Sequence, residues 1–245
     1  MPAPLPIAFF VIALGPFVGS FIGVLVDRLP GGGDVVHTPS ACRGCGTRLG
    51  WASLVPVLSY LRQRGHCAQC GATIPAHLLY LELLGLGAGV LAVAAGGTGP
   101  HVLLTALMLW LLLALAACDL AMYRLPDLLT GALALVVLLR APDVIWALWG
   151  AALGVAAFAL IRWTYARLRR REGLGMGDVK LMAGLGALTG PLALAQLVLV
   201  AAVLALAAAL WQARRAGLAV QGATALPFGT ALCAAAALLW VLGRV

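Results

Sequence analysis

Polar residues are scarce along this chain, and their positions divide it into segments. Nearly uninterrupted apolar stretches lie near residues 5–26, 78–96, 101–118, 127–140, 143–162, 179–190, 192–211 and 225–243. A bilayer-spanning helix needs about 20 mainly apolar residues, and fewer where neighbours bury it. The pattern therefore predicts an all-α polytopic membrane protein with about eight transmembrane helices, the fourth and sixth of them short. The first stretch, IAFFVIALGPFVGSFIGVLV, has the apolarity of a signal peptide but lacks a basic n-region and an A-x-A-like cleavage site, so a retained helix is expected. Residues 27–77 form the single polar stretch long enough for a small domain. The expected organisation is a region 1–96, with the first two helices and this loop, followed by a six-helix region 97–245.

Composition sharpens the picture. The chain is 63% hydrophobic and 10% charged, with a mean hydropathy of +1.06, whereas soluble domains are about half apolar and a quarter charged. With eight spans, one side receives Arg28, Arg43, Arg48, Arg62, Arg64, Arg124, Arg162, Arg167, Arg169, Arg170, Arg171, Lys180, Arg214 and Arg215. The other side receives only Arg140 and Arg244. The positive-inside rule then makes the rich side cytoplasmic and leaves both termini outside. The net charge of +8 needs no nucleic-acid partner, because that reading calls for a soluble basic surface with base-stacking aromatics. The run ARLRRREG (166–173) is expected to meet anionic membrane lipids, with a wall of a substrate entry as the alternative.

The polar loop holds CRGC (Cys42, Cys45) and CAQC (Cys67, Cys70), with 21 residues between the pairs. Each pair lets two sulfurs bite one ion, and two pairs complete the tetrahedron of a structural zinc ribbon. Metal binding would supply much of the folding energy of so small a loop. Disulfides suit a reducing cytoplasm poorly, and a redox CxxC wants a βαβ setting. His37, His66 and His77 flank the motif as surface or structural residues, with His66 an alternative ligand. Cys118 and Cys233 fall in spans and are expected to pack as small apolar residues.

Only eight acidic residues exist: Asp27, Asp34, Glu82, Asp119, Asp127, Asp143, Glu172 and Asp178. Ionisable groups in spans are costly and mark functional sites by default. Asp119 closes the third span and Asp178, in GMGDVK, opens the sixth, so the topology puts both at one depth on the cytoplasmic side. Two adjacent carboxylates share a proton, and one can act as base on water while the other polarises a carbonyl. Gly175 and Gly177 would let a backbone approach closely and permit positive φ. The bland alternative is two aspartates at the water interface, paired with Arg124 and Lys180. Asp127, in RLPD, fits the dipole of a helix N-terminus, and Glu82 needs a partner such as His77 or a loop arginine. A proton- or cation-coupled transporter would want its charges at the midplane between repeats, and no internal repeat is visible. A non-enzymatic assembly factor would use the cysteine loop but leave the paired aspartates without a role.

In order along the chain, GSFIGVLVDRLP, the paired CxxC loop with LEL around Glu82, DLAMYRLPD, GMGDVKLMAGLGALTG and LPFGTAL resemble the motifs of the type IV prepilin peptidases. These are bacterial inner-membrane aspartic proteases of the GxGD type, and the similarity spans nearly the whole chain. The resemblance implies cleavage of the basic leader of type IV prepilins or type II secretion pseudopilins, after a glycine, at the cytoplasmic face of the inner membrane. It implies Asp119 and Asp178 as the catalytic dyad, with Gly175, Gly177, Lys180 and Asp127 as active-site support. It also implies N-methylation of the new terminus from S-adenosylmethionine, placed in 1–96 with Glu82 as the methyltransferase candidate, and peptidase chemistry in 97–245. The family often has Asn where Gly23 stands, and a basic-aromatic-proline run where HLLY (77–80) stands. Both departures lie in the half linked to methyl transfer, while Glu82 stands at its expected place.

Overall fold

The computed structural model describes residues 2–35, 37–170, 173–216 and 226–243. Among them the regular structure is helical: α1 (Leu5–Arg28), α2 (Leu58–Arg62), α3 (Ala76–Ala95), α4 (Gly99–Met122), α5 (Asp127–Arg140), α6 (Val144–Arg169), α7 (Met176–Ala216) and α8 (Phe228–Val241). Proline sets several starts, since its fixed φ suits a first turn and its missing N–H costs nothing there. Pro4, Pro75, Pro126 and Pro227 each stand immediately before a helix. The Asp143 carboxylate accepts from the Trp146 amide at 3.0 Å and caps α6, which accounts for one of the few acids.

Five helices, α1, α3, α4, α6 and α7, are long and apolar enough to cross a membrane, so this is a membrane protein. α5 and α8 have 14 residues each, about 21 Å at the usual rise per residue. The spans expected over 179–190 and 192–211 are the two helical runs of α7, which are separated at Gly190, where φ is 66° and ψ 174°, before Pro191. A left-handed glycine followed by a residue with no N–H to donate ends one run of hydrogen bonds and starts the next. Outward faces carry bare apolar side chains such as Phe9, Phe17, Leu135 and Leu199, as expected where lipid is the solvent.

The chain divides into two compact units, Met1–Trp110 and Leu111–Val245. In the first, α1 packs on α3 through glycines. A Cβ on Gly85 would lie 2.4 Å from the Gly15 carbonyl oxygen, and one on Gly19 would lie 2.7 Å from the Glu82 Cα. Small residues let membrane helices approach to backbone contact. The Trp110 indole donates to the Gly85 carbonyl at 2.9 Å. Gly85→Val is therefore expected to destabilise this pair by about 1–3 kcal/mol through overpacking, read from reversible unfolding in mixed micelles. In the second unit, α5, α6 and α8 all pack on α7. There Gly150 and Gly186 meet face to face, each Cβ position falling 2.1–2.4 Å from the other's carbonyl oxygen.

Candidate active site and metal centre

The loop between α1 and α3 is built from two copies of one turn. In the first, the Cys42 amide donates to Thr47 O and Gly46 N to Cys42 O; in the second, the Cys67 amide donates to Ala72 O and Gly71 N to Cys67 O. The bridges Ala41↔Arg48 and His66↔Thr73 close them. Each CxxC is followed by a glycine in the left-handed region, Gly46 at φ 70° and Gly71 at φ 71°, a conformation that a side chain would strain.

The turns bring Cys42, Cys45, Cys67 and Cys70 together, with ligand atoms all within 4.8 Å of one another. The Cys42 and Cys70 sulfurs are 3.7 Å apart, against about 3.8 Å for the edge of a tetrahedron with 2.3 Å metal–sulfur bonds. This cluster could hold a metal ion. Its charges are already uneven: the Thr47 hydroxyl and amide hold the Cys45 thiol down at about 6. Cys70 is drawn down by the Ala72 amide, but the neighbouring sulfurs and desolvation push it up to about 11. His66 is outside the cluster, its Nδ1 2.7 Å from Arg64 O.

Glu82, on the second turn of α3, is 8% exposed. The sequence points to His77 or a loop arginine as its partner. Instead Oε2 accepts from the Val57 amide at 2.6 Å, while His77 lies 3.6 Å from Asp27, which Arg43 also engages. Gly23 faces the Leu78 side chain. Glu82, Asp27 and the ribbon wall a cavity of about 320 Å³.

Asp119 lies in the last turn of α4 and is 5% exposed. Its Oδ2 accepts from the Thr230 amide at 2.7 Å and contacts the Thr230 hydroxyl at 3.0 Å. That hydroxyl also donates to Ala116 O at 3.0 Å. Thr230 stands in the first turn of α8, whose N-cap, Pro227, offers no side-chain acceptor. Asp119 thus satisfies an amide that a helix start leaves free. Gly229 makes this approach feasible, because a Cβ there would sit 3.1 Å from the Asp119 carboxyl carbon.

Asp178 lies in the first turn of α7. It receives a hydrogen bond from the Gly175 amide and is within electrostatic reach of Asp119, which lies in the same unit. Cys233, buried on α8, lies within electrostatic reach of both carboxyl groups. Arg162 donates to Leu174 O at 2.6 Å and pins the approach to the glycines. Gly175 and Gly177 do not use positive φ: Gly177 leaves room for Leu125, 3.1 Å from its Cβ position, and Gly175 lies beside the Asp178 carboxylate. Lys180 pairs with Asp127 at 2.7 Å, both largely exposed, so it ties α7 to α5 rather than neutralising Asp178. Glu172 lies outside the described residues. Thr230 and Gly229 stand within LPFGTAL, where the sequence assigns them no role. The available signal is a Thr three residues past a proline, where a helix start exposes its amides.

Residues 13–95 match the Bacterial Peptidase A24 N-terminal domain, and residues 106–210 match the Type IV leader peptidase family. A prepilin leader peptidase/N-methyltransferase of Burkholderia pseudomallei is 34% identical over 97% of this chain and 85% of its own length. One from Stutzerimonas stutzeri is 32% identical over 96% of this chain and 92% of its length. An Escherichia coli type 4 prepilin-like proteins leader peptide-processing enzyme is 30% identical over 94% and 91%. No solved structure matches the chain.

Proposed function

The chain belongs to the type IV leader peptidase family, and from that premise we propose that it removes the basic leader of prepilins or pseudopilins, cutting after a glycine, and N-methylates the new terminus. The observation that carries the peptidase reading is that Asp178, half-buried in the first turn of α7, lies within electrostatic reach of Asp119, buried in the last turn of α4. The pair holds one proton between them. The ionised carboxylate takes a proton from water, whose oxygen attacks the glycine carbonyl. The protonated carboxyl gives its proton to the carbonyl oxygen, and collapse of the tetrahedral carbon expels the amine with a proton returned by the first aspartate. Thr230 occupies Oδ2 of Asp119, which leaves Oδ1 for this traffic. Gly175, beside Asp178, leaves space for an extended cleavage segment; Asp127 and Lys180 hold α5 against α7 around it.

The division of labour follows the two regions: 97–245 cleaves, and 1–96 transfers the methyl group, with Glu82 its acidic group. S-adenosylmethionine would supply an electrophilic methyl. Zinc at Cys42, Cys45, Cys67 and Cys70 would be structural, since four thiolates leave no open position. The basic side, with the loop and both aspartates, faces the cytoplasm of a bacterial inner membrane, and lipid covers the apolar outer faces. A substrate whose apolar helix lies in the bilayer thereby presents its basic leader at the aspartates.

The test is incubation of purified enzyme with a purified prepilin in liposomes, with S-adenosylmethionine, followed by mass spectrometry of the substrate N-terminus. Loss of the leader and gain of one methylene are expected. An intact leader after prolonged incubation would sink the peptidase reading.

A further inference from the structure

Two hydrogen bonds from one residue distinguish the two aspartates of the dyad. Asp119 Oδ2 accepts from the Thr230 amide at 2.7 Å and lies 3.0 Å from the Thr230 hydroxyl. Asp178 has the Gly175 amide, and Lys180, two residues on, is committed to Asp127. Helix dipoles do not separate the pair. Asp178 stands in the first turn of α7, and Asp119 faces the first turn of α8, so each carboxylate meets the positive end of a helix. The difference is the hydroxyl.

That hydroxyl carries one proton and has two oxygens in reach, Asp119 Oδ2 and Ala116 O, each at 3.0 Å. A hydrogen bond to a carboxylate is about twice as strong as one to a neutral carbonyl, so the proton points at Oδ2 while Asp119 is charged. Once Asp119 carries a proton on Oδ1, both acceptors are neutral and the hydroxyl is free to turn to Ala116 O. Thr230 thus stabilises the charged form of Asp119 over the neutral one. Burial makes charge costly at both aspartates, but it also strengthens these bonds, because little water competes for Oδ2 and the local dielectric is low. The other titratable groups in reach of Asp119 are Asp178 on α7, Cys233 on α8 and Cys118 beside it on α4. Among the described residues, the hydrogen bonds to Asp119 come from Thr230 alone.

We propose that Thr230 is a positioning residue that keeps the negative charge of the dyad on Asp119, which makes Asp119 the base toward water and Asp178 the acid toward the carbonyl. The inference deepens the peptidase reading above and rests on it. Asp119 Oδ1 takes a proton from water as the water oxygen bonds the glycine carbon, and Asp178 gives its proton to the carbonyl oxygen. In the collapse Asp178 takes a proton back from one hydroxyl of the tetrahedral carbon. The C–N bond then breaks, its electron pair stays on nitrogen, and the amine receives the proton held by Asp119. Both aspartates return to their starting states, and the Thr230 hydroxyl swings back to Oδ2 as the charge reappears there.

The experiment is the pH profile of kcat/KM for cleavage of a purified prepilin in liposomes by wild type, Thr230→Val and Thr230→Ser. The dyad titrates as a pair, and its active form holds one proton. Valine keeps the shape and the amide of Thr230 but has no hydroxyl. With the charge on Asp119, only the first ionisation becomes costlier, so the acid limb should move to higher pH by about one to two units, the effect of one hydrogen bond to a charged group. The alkaline limb, where Asp178 loses its proton, should stay. Serine restores the hydroxyl and should restore the wild-type acid limb. Monodispersity is the folding control, and Thr230→Ala, which removes the same hydroxyl from a smaller side chain, should move the same limb. A charge resting on Asp178 would give the reverse pattern, with the alkaline limb moved up and the acid limb fixed, and would overturn the assignment. Slower cleavage at every pH with both limbs fixed would reduce Thr230 to a structural role and overturn it as well. A wild type that leaves the leader intact at every pH would overturn the peptidase reading and the assignment with it.

Discussion

Asparagine in place of Asp119 or of Asp178 stops leader cleavage: each single variant lowers kcat by about 10² to 10⁴-fold, the usual contribution of a positioned acid or base. The substitution is close to isosteric, so the loss isolates the proton. In Asp119→Asn the side-chain oxygen would still accept from the Thr230 amide, and the start of α8 keeps its partner. An amide beside the remaining aspartate can neither share a proton nor take one from water. Because the two carboxylates act as one unit, the double variant should be no slower than the worse single variant. Asp143→Asn is the matched control: it also removes an acid, but asparagine caps a helix as well as aspartate does, so α6 and the cleavage rate are retained. Single-turnover cleavage of a purified prepilin in liposomes measures all four variants beside wild type. Cleavage within threefold of wild type by either single variant contradicts the dyad and returns the aspartates to an interfacial or ion-binding role.

Much of this arrangement is legible in the sequence because the medium narrows the choices. In lipid every backbone polar group must be satisfied within the chain, so long apolar runs imply helices, and rare charges stand out against them. Span order alone places Asp119 and Asp178 at one depth. The cysteine cluster can be read from spacing, because chelation by two short turns is local. Details that depend on packing between distant segments are hidden. Nothing in the chain order shows that Thr230 donates to Asp119, or that Val57 rather than a basic residue satisfies Glu82. Gly177 reads as a residue of backbone freedom, yet it matters for the space that Leu125 fills. The acid–base pair Lys180–Asp127 joins residues far apart in sequence, and only the packing of α5 on α7 selects it over a contact with Asp178.

Removing the metal, by chelation or by Cys45→Ser, should unfold the ribbon while leaving the second unit intact. Among its described residues the loop between α1 and α3 has two isolated bridges, two 3-10 turns and the five-residue α2, and Trp51, Leu58 and Leu61 are exposed rather than buried in a core. Little apolar burial opposes its conformational entropy, so the four sulfurs must supply the difference. Structural zinc contributes about 10–16 kcal/mol of apparent binding energy in zinc-finger peptides, far more than any hydrogen bond in this loop can. Wild type should carry one metal ion per chain by elemental analysis, and Cys45→Ser close to none. Amides of residues 41–75 should lose hydrogen-exchange protection in the variant, and those of α5 to α8 should keep it. Acid should reproduce the effect, with a sign set by the ligands: metal holds thiolates, so protons compete with it and protection falls as pH drops. The Cys45 thiol, held down at about 6, resists protonation most, whereas Cys70, raised to about 11, is the first to depend on the ion for its charge. Since Cys42 and Cys67 wall the cavity that holds Glu82, methyl transfer should disappear with the metal. A ribbon that keeps its protection without metal would mean that the cysteines are packing residues and that the loop folds by contacts with α1 and α3 alone.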